Sequence, residues 1–239
     1  MKKLFFLTGF SVAMAFLEAA VVVYLRHLYY PQGFSFPLNP LLATQILSVE
    51  WSREIATLIM LLCAGYLAGS TRMERFFYFL FSFGVWDIFY YVWLKVILNW
   101  PESLFTWDLL FLIPFAWTGP VLAPVVCSVT MIVFAIVFIS LKAKCETEPE
   151  VKPFMTILFL TGAILILTTF LKDFFLLLYR GGFFKQLSSV LSSPAFTDAV
   201  QHYIPKNYLW EVFIAGELFL CVSFFLFVFP CLKQRKIKK

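Results

Sequence analysis

Residues Val121–Leu141 read VLAPVVCSVTMIVFAIVFISL and contain no Asp, Glu, Lys or Arg. A helix needs about 20 predominantly apolar residues to cross the hydrocarbon of a bilayer, so this stretch predicts a membrane span. Working outward in both directions gives five more candidates, of which Ile55–Ala68 is long enough only if its helix begins near Trp51. The six predicted spans are Leu4–Leu25, Ile55–Ala68, Phe76–Leu98, Val121–Leu141, Phe154–Tyr179 and Leu209–Leu232.

The composition supports a lipid-embedded chain. Hydrophobic residues make up 62% of the 239 residues and charged residues 14%, and the mean hydropathy is +0.87. Soluble domains average roughly 45–50% apolar and about 25% charged residues. We therefore expect an all-α fold, a polytopic integral membrane helical bundle of about six transmembrane helices, with residues 1–239 as a single transmembrane domain. In a membrane protein the net charge of +5 is informative through the side of the membrane on which the positive residues lie. No nucleic-acid partner is predicted.

The Lys and Arg residues predict that both termini are cytoplasmic. With the N-terminus inside, twelve of them fall on the cytoplasmic side and six on the outer side, as the positive-inside rule requires. Six of the seven Trp residues fall at the outer boundary, where an aromatic belt is expected. The first span resembles a signal peptide, with Lys2 and Lys3 before it and Ala13-Met14-Ala15 within it. Because its apolar run continues to Leu25, we expect it to stay uncleaved.

The outer connections predict short interfacial helices. Leu109–Trp117 is interpreted as an interfacial or re-entrant piece, because three prolines interrupt the sequence around it. Phe183–Ile204 predicts one or two short surface helices, with Ser193-Pro194 as a helix start. No cysteine lies in an outer loop and no CxxC spacing occurs, so we expect neither a disulfide nor a thiolate metal site; the cysteines are Cys63, Cys127, Cys145, Cys221 and Cys231.

Ionisable side chains inside the spans share one property: all of them fall in the outer half or near the midplane of the membrane. A charge in hydrocarbon is costly and therefore needs a partner or a function. The inner halves of the same spans carry none, which predicts a polar pocket that opens outward and is closed below by Phe, Leu and Ile. The residues concerned are Glu18, Glu54, Asp87, Lys95, Lys172, Asp173, Glu211 and Glu217.

The third span provides the clearest pocket wall. Tyr90 and Tyr91 lie three and four residues after Asp87, and Lys95 lies four residues after Tyr91. These spacings place all four side chains near one helix face. This pattern predicts a buried acid, Asp87, as a catalytic group, with Trp86, Tyr90, Tyr91 and Lys95 as substrate-binding residues. The alternative is that Asp87 pairs with a Lys or Arg only to hold helices together.

Three more carboxylates are predicted as catalytic residues: Glu18, Glu54 and Glu217. Glu18 has no cation near it in the sequence, so it must find a partner on another helix or stay protonated. Glu50 and Glu54 share a helix face, and capping of the second span is their alternative role. Asp173 and Glu211 are predicted to bind substrate, although Lys172 and Asp173 could also neutralise each other.

No cofactor or metal is predicted. The two histidines, His27 and His202, fall on the outer side rather than within spans, which argues against a b-type haem, and they show no metal-ligand spacing. No P-loop, GxSxG, HExxH or Gly-rich dinucleotide motif occurs.

One short stretch, Trp86-Asp87-Ile88-Phe89-Tyr90, resembles the Trp-acid-x-x-Tyr stretch of small integral-membrane terpene cyclases of meroterpenoid pathways. The match covers five residues of the 239. Members of that family are similar to this chain in size and use acidic residues to protonate a polyprenyl substrate. The resemblance implies an isoprenoid ligand and an acid role for Asp87.

Three functions remain open from the sequence. The first is a cell-membrane enzyme or binding protein for a lipid-like or isoprenoid ligand, which would use its carboxylates for acid/base work. The second is a small transporter or proton-coupled carrier, because intramembrane acids also build proton relays. The third is a non-catalytic subunit of a membrane complex, whose acids would pair with basic residues of a partner membrane protein. The partners expected in all three are membrane lipids, with a lipid-like small molecule in the first.

Overall fold

The structure is a computed structural model that describes residues 2–37, 44–113, 115–142, 150–183 and 193–237. Six of its helices are long and apolar enough to cross a membrane, which confirms the six predicted apolar helices in a nearly all-α chain. In chain order the elements are α1 (Lys2–Tyr29), α2 (Thr44–Ala68), α3 (Arg72–Leu98), β1 (Trp107–Phe111), β2 (Trp117–Pro120), α4 (Leu122–Lys142), α5 (Pro153–Arg180), α6 (Pro194–Gln201) and α7 (Trp210–Ile237).

Capping side chains and first-turn prolines explain where two of the helices start. Thr71 caps α3 in a capping box, in which its hydroxyl accepts from the Glu74 N–H and the Glu74 carboxylate accepts from the Thr71 N–H. Pro153 occupies the first turn of α5, where its missing N–H costs nothing. The second predicted span was too short unless its helix began before Ile55. The helix begins at Thr44, so it is long enough to cross the bilayer.

Helix α3 is the centre of one half of the bundle and packs against α1, α2 and α4, while α5 packs against α7. The α3–α4 contact is close because Gly84 has no side chain: a Cβ there would lie 2.6 Å from the Ser128 carbonyl oxygen. Phe77 and Phe138 stack at 4.1 Å between ring centroids within the largest apolar cluster. That cluster also holds Leu7 from α1 and Cys231 from α7, so the two ends of the described chain meet in it.

The stretch between α3 and α4 corrects two details of the sequence interpretation. The piece at Leu109–Trp117, expected to be interfacial or re-entrant and grouped with the short outer helices, belongs to strands: β1 and β2 form an antiparallel hairpin, with Asp108 opposite Gly119 and Leu109 opposite Thr118. The chain is therefore not purely α-helical. The hairpin forms because β1 and β2 satisfy each other's backbone groups while their aromatic side chains pack on α5, where Trp117 stacks on Phe170 at 5.8 Å.

The predicted surface helices between Phe183 and Ile204 are found in part. Helix α6 begins at Pro194 directly after Ser193, as the sequence indicates. The stretch 184–192 and Cys145 lie outside the described residues. Among the described residues no disulfide joins the cysteines Cys63, Cys127, Cys221 and Cys231.

Candidate functional site

A cavity of about 130 Å³ lies between α1, α2, α3 and strand β1. It occupies the end of the bundle where α1 ends, α2 begins and α3 ends, which we call the cavity end. Val22, Leu25, Phe34 and Leu110 contribute to its apolar wall. Its charged lining consists of Glu18, Arg26, Glu50, Arg53, Glu54, Asp87 and Asp108.

The structure brings together six of the ten residues that the sequence singled out. Three of them are carboxylates on three different helices, and the other three are aromatic residues of α3. All six line the cavity: Glu18, Glu54, Trp86, Asp87, Tyr90 and Tyr91. Their common location supports the expectation of one shared pocket, whereas their catalytic and binding roles stay predictions.

Arg53 of α2 joins two of the carboxylates. Its guanidinium pairs with Glu18 of α1 and, at 2.6 Å, with Glu50 one turn earlier on α2. Glu18 also accepts a 3.0 Å hydrogen bond from the Thr57 hydroxyl. Glu18 therefore finds the partner on another helix that its isolated position requires, and the pair ties α1 to α2 across the cavity. Glu50 does not cap α2, because that helix begins at Thr44.

A second ion pair lies on the side of the cavity that the hairpin forms. Arg26 Nη2 lies 3.1 Å from Asp108 Oδ1, and both residues are buried. The Arg26 guanidinium also stacks on Trp100 at 3.7 Å and on Phe34 at 4.5 Å. Burial raises the pKa of Asp108 to about 6, although Arg26 and the Leu109 N–H act in the opposite direction.

Glu54 has a different set of contacts. Its two carboxylate oxygens accept from the Leu112 N–H at 3.1 and 2.9 Å, just beyond the end of β1. The side chain is buried, and in the described part of the chain it forms no ion pair. Glu54 thus holds the hairpin over the cavity, and no Lys or Arg of the described chain bonds to it.

Asp87 is held by one donor. Its Oδ2 accepts a 2.7 Å hydrogen bond from the Ser128 hydroxyl of α4, and the side chain is only half-buried because it faces the cavity. Within the described ranges no Lys or Arg pairs with it. The alternative in which Asp87 locks helices through a basic residue therefore does not describe this arrangement.

Trp86 lies beside Asp87 and is almost fully buried against Met14, Ala15 and Leu61. Its indole N–H has no hydrogen-bond partner in the described chain, although the residue lines a polar cavity. A buried indole usually finds an acceptor. The Trp86 N–H is thus a buried donor that no group of the described chain satisfies.

The other four predicted site residues do not line this cavity. The Lys95 ammonium donates to the carbonyl oxygens of Asn99 and Pro101 at 3.3 and 2.9 Å, where it caps its own helix. Asp173 accepts from the Thr118 hydroxyl at 3.2 Å and lies 3.7 Å from Lys172 Nζ, and Glu217 accepts from the Thr130 hydroxyl at 2.8 Å. Glu211 is exposed at the start of α7. Their binding and catalytic roles remain predictions.

Sequence reasoning did not assign Arg26, Arg53, Glu50 or Asp108 to the pocket. The two arginines count as outer-face charges in a positive-inside analysis, and Glu50 has the pattern of a helix cap. Asp108 belongs to a stretch without helical periodicity, so its burial is decided by the hairpin. The repeated Trp-Asp pair at 86–87 and 107–108 is the one sequence signal shared by two lining carboxylates.

No protein-family model, curated protein or solved structure matches the chain. Among the described residues, no group of three or more His, Cys, Asp or Glu side chains is arranged to hold a metal ion. The function must therefore be argued from the cavity itself.

Proposed function

We propose that this chain is a membrane-embedded enzyme or binding protein whose cavity takes the polar end of a lipid-like or isoprenoid molecule. The observation that supports this most directly is the convergence of Glu18, Glu54 and Asp87 on one cavity between apolar helices. A cavity of about 130 Å³ is smaller than the roughly 300–1,000 Å³ of pockets for whole drug-sized ligands. It suits a headgroup, while an apolar body would lie against the lipid-exposed helix faces.

Asp87 and Glu54 are the proposed acid/base pair. Both lack a bonded cation in the described chain, whereas Glu18 and Asp108 are engaged by arginines. The donors to the two carboxylates differ, a Ser128 hydroxyl for Asp87 and the Leu112 N–H for Glu54, and groups in different surroundings can hold protons differently, which general acid/base chemistry requires. Tyr90 and Tyr91 follow Asp87 on α3 and supply further hydroxyls beside the cavity. The Trp-Asp-x-x-Tyr resemblance favours an isoprenoid as the apolar body.

The proposed location is the cell membrane, with both termini in the cytoplasm. The Lys and Arg distribution supports this orientation. The cavity end would then open towards the outer leaflet, from which an amphiphile could enter headgroup first.

The test is equilibrium binding of radiolabelled geranylgeraniol to the purified full chain in neutral detergent micelles, with scintillation proximity as the readout. We expect saturable binding that Asp87→Asn and Glu54→Gln each weaken by at least about tenfold, because a charge-assisted hydrogen bond contributes about 1.5–3 kcal/mol. Glu102→Gln removes an exposed carboxylate outside the cavity lining and should bind like the wild type. Binding that is non-saturable, or equal in all four proteins, would refute the proposal.

A further inference from the structure

The charges of the cavity are unbalanced. Five carboxylates line it but only two guanidiniums do, and the described lining holds no Lys or His. Arg26 pairs with Asp108, and Arg53 is shared by Glu18 and Glu50. Because five carboxylates and only two guanidiniums share this low-dielectric cavity, a bound positive charge is favoured there over a negative one.

Asp87 and Glu54 are the lining carboxylates that pair with no Lys or Arg of the described chain. Asp87 Oδ2 is bonded to Ser128, while no donor in the described chain reaches Oδ1. Glu54 receives only neutral backbone N–H groups, from Leu112 and Ile113. These side chains stand on α3 and α2, on different sides of the same cavity, so a cation between them would be attracted by both.

The aromatic lining favours an organic cation. Trp86 and Tyr90 line the cavity next to Asp87, with ring centroids 6.4 Å apart and planes 26° from parallel. Aromatic faces attract ammonium groups through the ring quadrupole. A metal ion would instead need several ligands close together, and no such group occurs among the described residues.

Two buried donors point to a second feature of the ligand. The Trp86 indole N–H and the Arg26 Nη1 atom have no hydrogen-bond partner in the part of the chain that the structure describes. Trp86 is 4% and Arg26 7% exposed, so bulk water does not satisfy them. Unmet buried donors cost free energy unless an acceptor is supplied. A ligand oxygen near the positive charge would supply it.

We infer that the cavity binds the protonated amine of a lipid-like amino alcohol, held by Asp87 and Glu54, while its oxygen accepts from Trp86 and Arg26. This rests on the proposed function, because it names the headgroup for the same cavity. The excess of carboxylates disfavours fatty acids and other anionic headgroups, which would add negative charge beside them.

The test is competition against radiolabelled geranylgeraniol by four probes with one twelve-carbon chain: 2-amino-1-dodecanol, dodecylamine, 1-dodecanol and dodecanoate. The full chain is used in neutral micelles near pH 7, where the amines are protonated. We expect both amines to compete at least about tenfold better than 1-dodecanol, with the amino alcohol best and dodecanoate worst, because an ammonium group donates stronger hydrogen bonds to a carboxylate than a neutral hydroxyl does.

Variants test which carboxylates cause the preference for amine over alcohol probes. Asp87→Asn and Glu54→Gln should each reduce the ratio of amine to alcohol affinity, whereas the exposed-site control Glu102→Gln should keep it. Equal competition by amine and alcohol, with both still dependent on Asp87, would overturn the amine inference and leave the proposed function standing. Failure of every probe and of geranylgeraniol itself to bind would overturn both. If Asp87→Asn does not fold, Glu54→Gln gives the same comparison.

Discussion

At the scale of single residues, Arg53 is the cation on which two buried carboxylates depend. It pairs with Glu18 on α1 and with Glu50 on its own helix, and 19% of its side chain is exposed. Taking one partner from a buried ion pair leaves an uncompensated charge and costs about 3–5 kcal/mol. The free energy of unfolding should therefore respond strongly to this one side chain.

We predict that Arg53→Gln lowers the free energy of unfolding by about 3 kcal/mol, measured by denaturant unfolding in mixed micelles. The triple variant Arg53→Gln, Glu18→Gln, Glu50→Gln removes the stranded charges as well and should be more stable than the single variant. If the triple variant were the less stable of the two, the carboxylates would not be charged partners of Arg53.

Asp108 gives a prediction about pH. Because burial raises its pKa to about 6 from an ordinary value of 3.8, the folded chain takes up a proton at a higher pH than the unfolded chain does. The stability that this group contributes should therefore increase as pH falls from about 6 to about 4, and be lost as pH rises through the same window.

The measurement is the melting temperature of the wild type and of Asp108→Asn between pH 4 and pH 7. The amide that replaces the carboxyl group in this variant cannot titrate, so the wild type should gain stability relative to the variant as the pH falls. The opposite slope would mean that the Arg26 ion pair outweighs burial, since an ion pair favours the charged form.

Ser128 is the one donor to Asp87 in the described structure. Ser128→Ala should lower the free energy of unfolding by about 1 kcal/mol, because the half-buried Asp87 carboxylate then loses its donor on α4. It should also change geranylgeraniol binding, since Asp87 would no longer be fixed in place. Ser140→Ala on the exposed face of the same helix is the matched control and should change neither quantity.

At the scale of elements, the position of Asp87 depends on how closely α3 and α4 approach. Gly84 lies one turn before Asp87, and a Cβ added there would lie 2.6 Å from the Ser128 carbonyl oxygen. Real Cβ atoms do not come so close to backbone, so α3 and α4 would have to separate. The hydrogen bond from Ser128 to Asp87 spans this same interface.

Gly84→Ala should therefore lower the free energy of unfolding by about 1–3 kcal/mol, the usual cost of overpacking, and weaken ligand binding. Gly9→Ala in α1 is the control, because a Cβ there meets nothing within 4 Å. Alanine also favours helix over glycine, so this control should be neutral or slightly stabilising in thermal unfolding. Equal effects of the two substitutions would show that the α3–α4 spacing is not limiting.

At the scale of the whole molecule, the charge distribution makes a prediction about orientation in the membrane. The Lys and Arg distribution predicts that both termini are cytoplasmic and that the loop before β1 is outside. Alkaline phosphatase fused after Ser103 should be active, and the same enzyme fused after Arg235 should be inactive, because it folds only in an oxidising compartment. The reversed pattern would place the cavity end on the cytoplasmic side.

The sequence by itself determined the number and approximate limits of the apolar helices. Span length and hydropathy are local properties of a chain, because every backbone polar group in hydrocarbon must be satisfied within its own helix. The same locality revealed Glu18, Glu54 and Asp87, since a charge inside a span is visible without knowing the neighbours. The face of α3 that carries Asp87, Tyr90 and Tyr91 followed from helical periodicity, whereas Lys95, predicted on the same face, caps the end of the helix.

Only the tertiary structure decided what these residues contact. Helix order around a bundle is not encoded in any one helix, so the pairing of Glu18 with Arg53 and of Asp87 with Ser128 could not be deduced. Strand pairing is equally non-local: Asp108 reaches the cavity only because β1 pairs with β2 and the hairpin packs on α5. The cavity's surplus of carboxylates is thus a property of the assembled bundle, and no single segment contains it.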